Sequence, residues 1–404
     1  MSVDAERILS THEKIRGSVI RTPTVRAARL SLQLGLDLRL KLENLQHTNA
    51  FKARGALAKL LTLSVEEQRS GVIACSAGNH AQGVAYHAHA LDIPATIVMP
   101  KGTPFNKVKR TRDFGADVIL HGTIFDESMA FTVEKAQADG LTLIHPFDDP
   151  DVVAGQGTVA IEMIEQAPDL EAIVVPVGGG GLIAGMALAI KALKPEIEII
   201  GAQAVMFDAV KARIDGTEPH AGETSLAEGI AVRQPSDANV SVIRDHVDRI
   251  MCATEIEIEE AVFDFLSHEK IVAEGAAGAG LAVIKNLQSE LKEAKVGLVV
   301  CGGNIDSRLL STLIMRGLVR DGRISRITFE IDDTPGQLSE ISRVIGDAGA
   351  NVIEVIHQRM FQTISLKRAE LDVVIETRDK VHSDEIIAQL RGAGFRVNIN
   401  PNNA

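Results

Sequence analysis

The 404-residue chain contains no tryptophan and one tyrosine, and aromatic residues make up only 3% of it. Ala, Val, Ile, Leu and Gly must therefore fill the interior, as they do in parallel sheets covered by helices. Cysteine is scarce too. Cys75, Cys252 and Cys301 lie far apart, without a CxxC pair or ligand-spaced Cys/His cluster, which argues against a disulfide framework or a zinc site. No apolar run reaches the roughly 18 residues of a membrane span. Residues 1–17 are charged and amphipathic without an apolar stretch, so they do not read as a signal peptide. A reducing, cytoplasmic setting is expected. The formal net charge of −12 excludes a general affinity for nucleic acid or an anionic membrane, but not one small anion in a local pocket.

What is present is length enough for two or three domains, with 45% hydrophobic residues to build their cores. Strand-like apolar runs at 38–42, 71–74, 95–99, 117–120, 172–177, 198–202 and 296–301 alternate with Ala-rich segments of helical period. That order predicts α/β architecture with mostly parallel sheet. Past Asp321-Gly322 the pattern changes. Strands are expected at 326–332, 352–360, 370–376 and 395–399, with helices at 337–348 and 382–392. The order βαββαβ predicts an α+β, ferredoxin-like unit over 326–404. The last four residues look frayed.

Four segments carry chemistry. Lys52, in Thr48-Asn49-Ala50-Phe51-Lys52-Ala53-Arg54-Gly55-Ala56, is placed near the start of a helix expected from about Asn49. Apolar neighbours and a helix N-terminus should lower its amine pKa and favour Schiff-base formation; a surface lysine is the plainer alternative. The turn Ser76-Ala77-Gly78-Asn79-His80 follows a strand and opens a helix. Its N–H groups suit a carboxylate, although a simple Ser/Asn-capped turn has the same pattern. Gly178, Gly179, Gly180 and Gly181 stand between a buried strand and an apolar helix. Four glycines cost backbone entropy, which makes sense where bare N–H groups close around a phosphate. The sequence is neither a Walker A loop nor a GxGxxG fingerprint. Cys301, before Gly302-Gly303-Asn304, is either a small core residue or a weak thiol donor to a ring nitrogen.

In this order the four segments resemble the fold-type II pyridoxal-phosphate enzymes, and within them the threonine dehydratase (threonine ammonia-lyase) branch. The likeness covers roughly residues 5–320. The tail, with Asp333-Thr334-Pro335-Gly336-Gln337-Leu338, is similar to an ACT regulatory domain, which matches the medium-length form of the family. The resemblance implies a catalytic region over 1–322 with two parallel-sheet lobes, the smaller (about 48–150) inserted in the larger. It implies pyridoxal 5′-phosphate carried by Lys52, with Phe51 beside the ring, Asn79 at the 3′-oxygen, Gly178, Gly179, Gly180 and Gly181 at the phosphate, and Cys301 at the pyridine nitrogen. Glu274 would line the pocket. Ser76, Ala77, Gly78, Asn79 and His80 would hold the substrate carboxylate. The implied reaction converts L-threonine to 2-oxobutanoate and ammonia, and L-serine to pyruvate.

Cys301 stands where this group more often has Ser or Thr. A serine racemase or a hydroxyaspartate ammonia-lyase are the rivals within the fold, and a non-catalytic amino-acid sensor is the rival outside it. Ala77 stands where the similar racemases carry a serine base, which favours elimination. The ACT-like resemblance further implies a homodimer or homotetramer and a branched-chain amino-acid effector near Asp333, Gly336 and Leu338, facing the partner's Asn351. No metal ligand is assigned, since loop carboxylates such as Glu223 and Glu228 are usually just solvated.

Overall fold

The structure is a computed structural model, described over residues 3–220, 222–332, 334–358 and 368–398. It divides into two compact units, 1–305 and 306–404. The first unit contains two sheets. Its strands are β1 (Thr24–Arg26), β2 (Asp37–Leu42), β3 (Val72–Cys75), β4 (Ala95–Met99), β5 (Asp117–Leu120), β6 (Thr142–Leu143), β7 (Ala172–Pro176), β8 (Glu198–Ala204), β9 (Arg249–Ala253) and β10 (Lys295–Val300). The larger sheet runs β1-β2-β10-β7-β8-β9, parallel except for β1 on β2. The smaller sheet, β5-β4-β3-β6, is wholly parallel and built from chain lying between β2 and β7.

Central strands are buried on both faces. Every residue of β3 and β7 is buried, the run expected when helices cover a sheet on each side. β1, β6 and β9 were not legible as strands. β1 and β6 hold only three and two residues, too few to show a period.

Helix starts follow their caps. Asp149 accepts from the N–H groups of Asp151 and Val152 ahead of Pro150–Gln166, with proline in the first turn. Ser64 with Glu67, and Thr254 with Glu257, make reciprocal capping boxes. One helix start differs from its expectation. The helix carrying Lys52 runs Lys52–Leu60 rather than beginning near Asn49. Asn49 adopts a left-handed φ of 56°. The Phe51 N–H donates to Cys301 O at 3.0 Å, the Gly303 N–H donates to Asn49 O at 2.9 Å, and Ala50 bridges Gly302. Backbone groups engaged by the end of β10 are not available to a helix.

The second unit begins with the helix Ser307–Arg320. A four-stranded antiparallel sheet follows, ordered β12-β13-β11-β14: β11 (Ile324–Asp332), β12 (Asn351–Gln358), β13 (Arg368–Glu376) and β14 (Arg396–Asn398). The helices Gln337–Asp347 and Lys380–Gly392 complete the βαββαβ order. In β11, Ile327, Phe329 and Ile331 alternate inward and pack with Ile341, Ile345 and Leu390. Asp333, the ends at 360 and 399 of two expected strands, and the frayed tail 401–404 lie outside the described residues.

Candidate active site

Three strand ends meet. Ser76 follows β3, Gly178 lies just past β7, and Cys301 follows β10. The carboxyl ends of parallel strands are where such sheets bind ligands. The β10 anchorage of residues 49–51 delivers Lys52 to this point. The helix Asn79–Ala90 packs closely on that turn. A Cβ at Gly83 would lie 3.1 Å from the Lys52 carbonyl, a tight contact with backbone that a glycine avoids.

Lys52 Nζ donates to Pro146 O at 2.7 Å and lies 5.2 Å from the Phe51 ring centroid. Part of its surface remains open, as at Ser76, Ala77, Gly78, Asn79, Gly178 and Glu274. Burial pulls the Lys52 ammonium down to about 8, against the opposing pull of Cys301 and Glu274. At neutral pH an appreciable share of the amine is thus unprotonated and nucleophilic.

Glu274 precedes the helix Gly275–Asn286. Its two oxygens accept from Asn79 Nδ2 at 2.9 and 3.0 Å. Cys301 Sγ lies 3.7 Å from the same carboxylate. Burial pushes the Glu274 carboxyl up, against the bonds from Asn79 and Cys301, and burial with Glu274 pushes the thiol well above its usual range. Asn304 Nδ2 donates to Asn79 Oδ1 at 2.8 Å, which turns the Asn79 amide nitrogen toward Glu274.

The turn at 76–80 is preorganised. Ser76 Oγ accepts the Gly78 N–H at 3.1 Å. The N–H groups of Ala77, Asn79 and His80 have no acceptor among the described residues. His80 Nε2 lies 2.8 Å from Ile144 O, so this nitrogen carries the proton. Burial, with Lys52 nearby, drops the imidazole to about 3, so His80 is a neutral ring rather than a base.

Beyond β7, the N–H groups of Gly178, Gly179, Gly180 and Gly181 also lack acceptors among the described residues. They open the helix Gly181–Leu193, and Gly180 takes φ +89°. The Phe147 ring covers Gly179; a Cβ there would fall 2.3 Å from it. Helix dipole and bare N–H groups together make an anion site. Pyridoxal 5′-phosphate fits this set: an amine poised near neutrality for its carbonyl, an N–H cradle for its phosphate, and an amide and a thiol for its ring.

Asn79, Glu274 and Cys301 are joined by close polar contacts, and Lys52 reaches the strap 145–148, whose Phe147 covers Gly179, whereas Arg54 of the same motif is buried against Glu43 and Glu162. Gly336, Leu338 and Asn351 are exposed residues of the second unit. The motifs gave no sign of Phe147, Pro146 or Asn239, and no role to Asn304. Among the described residues no group of three His, Cys, Asp or Glu side chains could hold a metal ion.

Residues 15–302 match the family described as "Pyridoxal-phosphate dependent enzyme", and the chain belongs to that family. Within it, the chain is similar to an L-threonine ammonia-lyase of Thermotoga maritima. The two are 41% identical over 399 residues, 98% of this chain and 99% of the relative. A threonine deaminase from Solanum lycopersicum superposes with a TM-score of 0.72 at 32% identity, covering 78% of this chain and 89% of its own. A serine racemase from Dictyostelium discoideum superposes at 0.71 and 30% identity, covering 76% and 100%.

Proposed function

We propose that this enzyme is a threonine ammonia-lyase that converts L-threonine to 2-oxobutanoate and ammonia and also deaminates L-serine. The carrying observation is Lys52: an amine lowered to about 8, its Nζ bonded to Pro146 O in the strap whose Phe147 covers Gly179. Pyridoxal phosphate, when bound, supplies the electron sink that acidifies the substrate Cα–H. The chain does the rest. The turn at 76–80 takes the substrate carboxylate on its N–H groups, and residues 178–181 take the phosphate. Phe51 would pack beside the bound ring, Asn79 and Glu274 would line it, and Cys301 would offer its nitrogen a neutral thiol. Lys52 Nζ removes the Cα proton. The β-hydroxyl takes up a proton and departs as water, the proton that Lys52 took from Cα closing the balance; the released enamine tautomerises and takes up water to give the 2-oxo acid and ammonia.

Racemisation needs a second proton carrier opposite Lys52. Ala77 has none to offer, which favours elimination over the racemase reading. The test is a 2-oxo acid assay across threonine, serine and the hydroxyaspartate isomers. Turnover strongest on a hydroxyaspartate would displace the threonine reading.

We further propose that the second unit is an ACT-like regulatory domain. The Thermotoga maritima relative matches over nearly the whole chain, this unit included. A branched-chain amino acid would bind near Asp333, Gly336 and Leu338, opposite the partner's Asn351, in a homodimer or homotetramer. The edge strand β12 exposes Ile353 and Val355, apolar side chains that pairing would cover. Regulation requires unequal binding to two conformations. A truncation after Arg320 that keeps turnover but ignores the effector supports this reading; a full-length enzyme indifferent to all branched-chain amino acids refutes it. The three free cysteines suit a reducing cytoplasm.

A further inference from the structure

Asn239 lies in the first turn of the helix Asp237–His246 and is 5% exposed. Its Nδ2 donates to Phe147 O at 2.8 Å and to Gly179 O at 3.0 Å. Its own N–H donates to Ser236 Oγ at 3.3 Å, and Ser236 Oγ in turn donates to the Asp148 carboxylate. One helix start thus grips two segments. The first is the strap 145–148, whose Pro146 O receives Lys52. The second is the glycine turn.

Glycine has no strong conformational preference, so four in a row cannot hold a cradle by themselves. The Gly179 carbonyl and the Gly180 N–H belong to one planar trans peptide and point in opposite directions. A donor that holds the oxygen therefore aims the N–H away from itself. Steric fit supports the assignment: a Cβ at Gly180 would lie 2.9 Å from Asn239 Cβ.

We propose that Asn239 is a positioning residue for the cofactor phosphate. It fixes the Gly179–Gly180 peptide so that the cradle presents its N–H to the anion. The inference rests on the reading of residues 178–181 as the phosphate cradle.

The test uses the full-length protein, stripped of cofactor with hydroxylamine and titrated with pyridoxal phosphate or with pyridoxal, which lacks the phosphate. Both aldehydes reach Lys52, and only one needs the cradle. Asn239→Leu is neutral, similar in size and donates nothing; Asn239→Ser retains one donor. The preference for the phosphorylated form should fall about tenfold or more in the leucine variant, and less in the serine variant. Pyridoxal affinity should stay within about twofold of the parent. Equal weakening of both aldehydes, in the serine variant as well, would make Asn239 a general structural residue and overturn the proposal. Unchanged affinities would also overturn it. Gly180→Ala separates the two readings. If it lowers the preference while the Asn239 variants do not, the cradle stands and this inference falls. If none of the variants shifts it, both fall.

Discussion

Two lysines of the first unit are enclosed in different ways. Lys41, 0% exposed, donates to Thr22 O and to Glu162 at 2.6 Å each, and to Gln166 at 3.4 Å. Lys52 keeps an open face and, among the described residues, donates to the neutral Pro146 O alone. Around Lys41 the charges balance. Arg54 bonds both oxygens of Glu43 at 2.8 Å and both oxygens of Glu162 at 2.7 and 2.8 Å. Burial works against the Arg54 cation, but Glu43 and Glu162 outweigh it and hold the guanidinium above its ordinary range. Burial likewise opposes the Glu162 carboxylate, which Arg54 and Lys41 hold below its usual value. Arg54 lies two residues beyond Lys52, so the helix start is clamped by a satisfied cluster on one side and carries an amine without a carboxylate bond on the other. Burial lowers both amines, but Lys41 is bonded to a carboxylate inside a closed cluster, whereas Lys52 bonds a carbonyl and keeps an open face.

That contrast can be broken most sharply by exchanging which lysine is lost. Lys52→Ala should abolish the yellow absorbance of bound cofactor and lower turnover by more than about 10³-fold with the fold intact. Lys41→Met should keep the absorbance. If borohydride reduction fixed the cofactor to another lysine, the contrast would collapse.

The next largest effect falls on stability. Arg54→Met strands Glu43 and Glu162 with one cation between them. A loss of about 3–5 kcal/mol is expected in denaturant unfolding. A loss below about 1 kcal/mol would show that water or a rearranged Lys41 replaces the guanidinium.

A pH experiment sharpens the comparison further. In cofactor-free protein, amine-reactive labelling of Lys52 should reach half its maximum near pH 8, with Lys41 unlabelled. The folded value of about 8 lies below the ordinary 10.5, so between them the unfolded chain binds more protons. This group's contribution therefore rises with pH across that window, and Lys52→Met should remove that rise relative to the parent.

The smallest effect concerns the face opposite Lys52. With L-serine, pyruvate should exceed D-serine at least about tenfold, and Ala77→Ser should raise D-serine only slightly, since one added hydroxyl rarely makes a competent base. D-serine forming faster than pyruvate would show that Lys52 has a counterpart there.

Much of the site was legible because its parts are local. The Lys52 motif, the turn at 76–80 and the glycine quartet are each contiguous, and the last two follow strand ends. The βαββαβ tail was legible from alternation. Other features were not, for physical reasons. Lys41 and Arg54 look like surface residues until their carboxylates are brought in from Glu43 and from Glu162, 121 residues beyond Lys41. Asn239 meets partners 60 and 92 residues away, and no periodicity encodes that. The helix at Lys52 was placed too early because composition cannot show that Ala50 is already engaged by Gly302.

That bridge has a consequence for biosynthesis. Residues 49–51 are held by residues 301–303, so the turn that aims Lys52 closes a loop of most of the first unit. During translation the smaller sheet and β7 to β9 emerge before β10, the strand that lies between β2 and β7. Until that strand inserts, the nascent chain carries the lysine without its anchor and leaves facing strand edges uncovered, a state open to misassociation. The turn that aims Lys52 can therefore gain its anchor only after the strand β10 has been synthesised.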